Sequence, residues 1–197
     1  MINIMIDDEL FDNYGFRILS DMSMEEDVKK IPTECVSLIL DNMKNLNVYI
    51  INKGNLLIHS LIYVYVDENI NSELQDEYGK IIINILKRGA NPTIENHNGF
   101  TAFSLAVDFN NFELLKLLVD NSNFDVGIEA VICAMYEDNY DIVEYLLPLV
   151  ENINEKTRDR DDSDGFNEHT IMWYAKRYER CNKDILELLE MHGAHDY

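Results

Sequence analysis

Residues 89–106 read GANPTIENHNGFTAFSLA, and the fold turns on what this stretch is. It could be a loop carrying His97 as a chemical group, or a join between two structural units. Read residue by residue, it is punctuation. Gly89 follows the apolar run Ile81–Leu86 and suits the left-handed residue that closes a helix. Pro92 forbids any continuation of that helix. Asn96-His97-Asn98-Gly99 has the residue types that a tight turn needs, since Asn and Gly tolerate positive φ. Thr101 then suits the N-cap of a new helix whose apolar positions include Phe103, Leu105 and Ala106. A catalytic His97 would need a nucleophile or carboxylate at a defined spacing, and the sequence offers none.

Working outward, the new helix breaks at Asp108–Asn111 and a second begins, with Leu114, Leu115, Leu117 and Leu118 at helical spacing and Leu117 read into the stack. Each helix is too short to be stable alone, so the unit is a helical hairpin that needs neighbours. The pattern recurs. Ala130–Ala134, a break at Glu137–Asn139 and Asp141–Leu147 repeat it, with Ala134 corresponding to Ala106. A third copy runs from Thr170–Ala175 through Asp184–Leu189 to Gly193-Ala194. An earlier copy runs from Gly54 through His59 and Leu61, then Ile81–Leu86, to Gly89-Ala90-Asn91. Further back, Cys35–Leu40 reads as the second helix of a starting half-repeat.

These residues resemble ankyrin repeats. Gly99-Phe-Thr101-Ala102-Phe-Ser104-Leu-Ala106 is similar to that family's opening of helix one, with Ala102 and Ser104 in place of its Pro and His. His59 stands at the family's His position, and Gly89-Ala90-Asn91 and Gly193-Ala194 match its helix ends. The resemblance covers residues 33–195. It implies an all-α ankyrin-repeat solenoid of about four to five helix pairs joined by short hairpin loops. The spacing departs from the family period of about 33. Gly54 and Gly99 stand 45 apart, Ala106 and Ala134 28 apart, and Ala134 and Ala175 41 apart. The first excess reads as an acidic insertion over 64–78, between the two helices. The last reads as an acidic loop over 152–168. The array is expected over 33–197, with residues 1–32 as an acidic N-terminal cap on its first apolar face.

Composition bounds the function. The chain has 197 residues, 37 acidic against 16 basic, for a net charge of −21. Such a field repels phosphate backbones and anionic membrane surfaces, which excludes direct nucleic-acid and membrane binding. It steers a basic protein toward the chain. Cys35, Cys133 and Cys181 are far apart and form no CxxC pair, which favours reduced thiols and a cytoplasmic setting. The N-terminus carries acids where a signal peptide needs bases, and no apolar run is long enough to span a membrane.

No constellation carries chemistry. Asp159–Gly165 looks like a calcium loop, but with Gly165 at the sixth position Arg160 falls at the first and Ile171 at the twelfth. His192 and His195 with Cys181 lack the ligands to close a tetrahedral zinc site. No phosphate-cradling glycine loop or nucleophile motif is present. The expectation is a non-enzyme without cofactor or metal. Trp173, Phe103 and Met172 read as core.

The resemblance implies binding through hairpin tips and the exposed face of helix one. Here those positions are His97, Asn98 and Phe100 at the hairpin, then Asp108 and Phe109 at the end of helix one. The equivalents in other copies are Tyr136 and Glu137, Arg177 and Tyr178, and Tyr63. Rings mixed with acids suit recognition of a basic protein, unless the rings pack between repeats. A compact acidic domain of this kind fits an inhibitor or immunity-type protein that blocks a toxin, nuclease or other basic enzyme. The alternative is a host-directed interaction protein of a virus or intracellular bacterium. The sequence does not fix the oligomeric state.

Overall fold

The computed structural model describes residues 33–47, 56–157, 168–178 and 181–196. The cap read over 1–32 and the calcium-like stretch Asp159–Gly165 lie outside the described residues. Among the described residues nine α-helices follow one another: α1 (Thr33–Asn42), α2 (Leu57–Tyr65), α3 (Ser72–Lys87), α4 (Ala102–Asp108), α5 (Phe112–Asn121), α6 (Ile128–Tyr136), α7 (Tyr140–Leu146), α8 (Ile171–Arg177) and α9 (Lys183–Met191). A 3-10 turn, Leu147–Leu149, extends α7. Among the described residues the extended structure amounts to an isolated antiparallel bridge between Thr157 and His169 and a lone bridge residue at Leu56.

The helices pair as α2/α3, α4/α5, α6/α7 and α8/α9. First helices stack on first helices, α2 on α4 on α6 on α8. Second helices form the other layer, with α1 against α3, α3 against α5, and α7 against α9. Helix α1 takes a second-helix place, since it packs on the second helix α3. The two layers enclose one continuous apolar core running from Val36 to Leu189.

Local chemistry sets the helix boundaries. Thr101 and Ser104 form a reciprocal cap: Ser104 N donates to Thr101 Oγ1 at 3.1 Å and Thr101 N donates to Ser104 Oγ at 2.9 Å. In α2 a histidine does the second half of this work, with Leu56 N donating to His59 Nδ1 at 3.1 Å. Every second helix of a complete pair begins with asparagine. Asn71, Asn111, Asn139 and Asn182 each accept a backbone N–H through the carboxamide oxygen, from Leu74, Leu114, Ile142 and Asp184. Just before two of these caps the chain turns through the left-handed region, at Asn110 (φ 49°) and Asp138 (φ 54°). The side chains of adjacent units meet there, Asn139 Nδ2 donating to Asn110 Oδ1 at 2.7 Å.

Two helices end identically. Gly89 (φ 93°) closes α3, and Ala90 N reaches back to the Ile85 carbonyl at 2.9 Å. Gly193 (φ 85°) closes α9, and Ala194 N reaches the Leu189 carbonyl at 3.0 Å. Each end is gripped from another unit by an asparagine. Asn47 donates to the Gly89 carbonyl and accepts from Asn91 N; Asn154 donates to the Gly193 carbonyl and accepts from His195 N. Arg88 completes the first of these joints by donating to the Leu40 and Met43 carbonyls at the end of α1.

The structure corrects three sequence readings. The acidic insertion read over 64–78 does not as a whole lie between the two helices: Val64 and Tyr65 finish α2, and residues 72–78 open α3, which is 16 residues long. Leu117 is only half-buried, whereas Leu114, Leu115 and Leu118 are fully buried. Trp173 is half-buried at the margin of the core rather than within it. Residues 122–127 link α5 to α6 without helix or strand.

Candidate functional site

Because the first helices stack side by side, their C-terminal ends line up along one edge. Tyr63 on α2, Asp108 and Phe109 at the end of α4, Tyr136 and Glu137 at the end of α6, and Arg177 and Tyr178 at the end of α8 all fall there. The rings meet in pairs across adjacent units. Tyr63 and Phe109 are edge-to-face with centroids 5.7 Å apart, and Tyr136 and Tyr178 lie 4.8 Å apart. The Tyr178 hydroxyl also donates to the Tyr136 carbonyl at 3.1 Å. Each ring is therefore partly committed to holding neighbours together. Phe109 keeps 39% of its surface exposed.

Charge is interleaved with these rings. Asp108 and Glu137 are exposed. Burial pushes the Tyr63 phenol above its ordinary value, and the Asp108 carboxylate adds to that. Arg177, the cation in the set, lies 4.0 Å from the Trp173 ring, and the His169 ring stacks on Trp173 at 3.5 Å. Its guanidinium is thus held over an indole, one helical turn from the edge rings.

The hairpin residues are placed differently. Asn96 is buried, and its side-chain oxygen accepts from Asn98 N at 2.9 Å and Phe100 N at 3.0 Å, which fixes the turn. His97 and Asn98 are exposed at its tip. Phe100 is half-buried against the core, so its ring is shared between turn and interior. Its carbonyl lies beside the buried His59 ring on α2 of the preceding unit. Burial lowers the His59 pKa to about 4, against the smaller opposing effect of that carbonyl.

Two clusters were not singled out from sequence. On the second-helix layer, Phe112 and Tyr145 pair edge-to-face at 5.1 Å with the Lys116 ammonium 4.1 Å from the Phe112 ring. The other is the His169–Trp173–Arg177 stack, whose i, i+4, i+8 spacing was the available signal. Among the described residues no group of three or more His, Cys, Asp or Glu is placed to hold a metal. The ring nitrogens of His192 and His195 face the Leu188 and Gly193 carbonyls. Burial raises the Cys181 thiol pKa, and Asp138 adds to it, the opposite of what a ligating thiolate needs.

A family model of ankyrin repeats, in three copies, matches residues 74–159. Over that span the repeats are ankyrin repeats. An ankyrin repeat protein of Fowlpox virus (strain NVSL) is 26% identical over 173 residues, covering 80% of this chain and 47% of that protein. The chain thus spans about half the length of that curated relative. The ankyrin repeat domain of Bcl-3, a member of the IkappaB protein family, shares the fold with a TM-score of 0.59 at 17% identity, over 90% of this chain and 72% of that one. The ankyrin repeat protein EF0377 does so with a TM-score of 0.54 at 19% identity, over 90% and 81%. The repeats here stack as an all-α solenoid whose edge offers rings and carboxylates. Among the described residues no helix is long and apolar enough to cross a membrane.

Proposed function

We propose that this ankyrin array is a non-enzymatic protein-recognition module whose partner is basic and docks along the first-helix edge. The observation that carries the reading is that edge itself. Rings held by their neighbours lose little freedom on binding, and interleaved carboxylates select for positive charge. The net charge of −21 supports the same polarity of partner and its electrostatic steering. Of the finer roles, a host-directed interaction protein is favoured by the likeness to a viral ankyrin protein. A toxin- or nuclease-blocking immunity role rests on charge alone.

The test is quantitative capture with the purified chain and its Phe109→Ala and Tyr136→Ala variants. A basic protein is expected whose affinity falls at least tenfold in each variant, about 1.4 kcal/mol, and falls further as salt is raised. Partners that are neutral or acidic, or whose binding ignores both variants and salt, would overturn the proposal.

A further inference from the structure

A second surface stands on the opposite layer. Helix α1 buries Val36, Ile39 and Leu40 against the array but turns Leu38 outward, 64% exposed. Glu34 precedes Leu38 by four residues and Asp41 follows it by three, so both share its helical face. Between α1 and α3 lies a groove of about 550 Å³, with Leu38 and Ile81 as its apolar part and Glu34, Asp41, Glu77 and Lys80 around it. Thr33 and Glu77 are hydrogen-bonded across one end. Asn84 and Arg88 reach Asp41 from α3 and its C-terminus at the other. The two helices are therefore tied at both ends of the groove and open between them.

The charges decide what fits. Residues 1–32 hold eight carboxylates against three basic side chains, and a second copy of the chain brings −21. Either carries net negative charge toward a rim of three carboxylates and one lysine, where Arg88 is paired with Asp41. An exposed leucine with acids on its own face instead matches a segment that pairs an apolar side chain with flanking Lys or Arg. We propose that the α1–α3 groove docks such a basic, apolar segment of a partner protein, separately from the first-helix edge.

A short fluorescein-labelled peptide of alternating Lys and Leu, titrated into the full chain and followed by anisotropy, tests this. A Lys and Ser peptide of equal charge reports non-specific attraction. The Lys and Leu peptide is expected to bind more tightly, on the order of tenfold. Leu38→Lys and Glu34→Lys should each abolish that advantage, while Phe109→Ala leaves it intact. Both groove substitutions are at exposed positions, and unchanged melting verifies the fold. Reaction of the exposed Cys35 with a bulky maleimide should block the peptide as well. Equal binding of the two peptides, indifference to Leu38→Lys, or a dimer of the chain that Leu38→Lys dissolves would each overturn the proposal.

Discussion

His59 is a fully buried imidazole that works as a neutral group. Its Nδ1 accepts from Leu56 N, and its ring lies beside the Phe100 carbonyl of the next unit. The folded pKa, about 4, is below the ordinary value of 6.5, so the unfolded chain takes up the proton first. The stability that His59 gives is full above pH 6.5 and is lost as pH falls toward 4. Between pH 7.5 and 4.5 the loss from this one group is on the order of 2–3 kcal/mol. Urea unfolding at the two pH values, compared with His59→Gln, should isolate it. The variant starts less stable but lacks that loss, so equal pH dependence in both proteins would refute the assignment. At the equivalent place in the next unit Ser104 caps Thr101 without titrating. Thr101→Ala should therefore cost about 1 kcal/mol at any pH, read from the denaturation midpoint.

At the scale of the element, what made the helices legible was their ends. Thr101, Asn111, Asn139, Gly89 and Pro92 announce boundaries that apolar spacing alone leaves loose, and the chain turns where those residues stand. The start of α3 was not legible. Its first turns carry Glu73, Asp76 and Glu77, and their acidity hides that Tyr78, Ile81, Ile82 and Ile85 share one buried face. Leu117 was misjudged for a related reason: a leucine run shows periodicity, but which member faces the stack depends on how the neighbouring helix crosses it. Leu118, not Leu117, is the stringent position. Leu118→Asp puts an unpaired carboxylate at 0% exposure and should cost several kcal/mol, on the order of 3–5. Thermal melting that matched the parent chain would refute the packing of α5.

Across the whole molecule, the repeats were readable because each restates the same short pattern, and the stacking order follows once they are aligned. The edge positions Tyr63, Phe109, Tyr136 and Tyr178 could be listed from that alignment, but not their pairing. Pairing depends on the offset between adjacent helices, which no single repeat encodes. The same holds for Leu38, whose exposure depends on which elements pack beside α1 rather than on its own spacing. The twin glycine ends supply a built-in comparison of a different sort. Gly89 and Gly193 share backbone geometry, an alanine next in sequence and an asparagine grip, and a methyl group added at either meets nothing within 4 Å. Alanine at each site therefore imposes the same local penalty, about 1 kcal/mol, in the interior and near the end of the stack. If the array melts as one body, both substitutions lower global stability alike. If its last helix pair opens independently, Gly193→Ala weakens only that opening, and amide hydrogen exchange in α8 and α9 registers it while the urea midpoint of α3 stays put. One matched pair of methyl groups thus measures how far a disturbance travels along the solenoid.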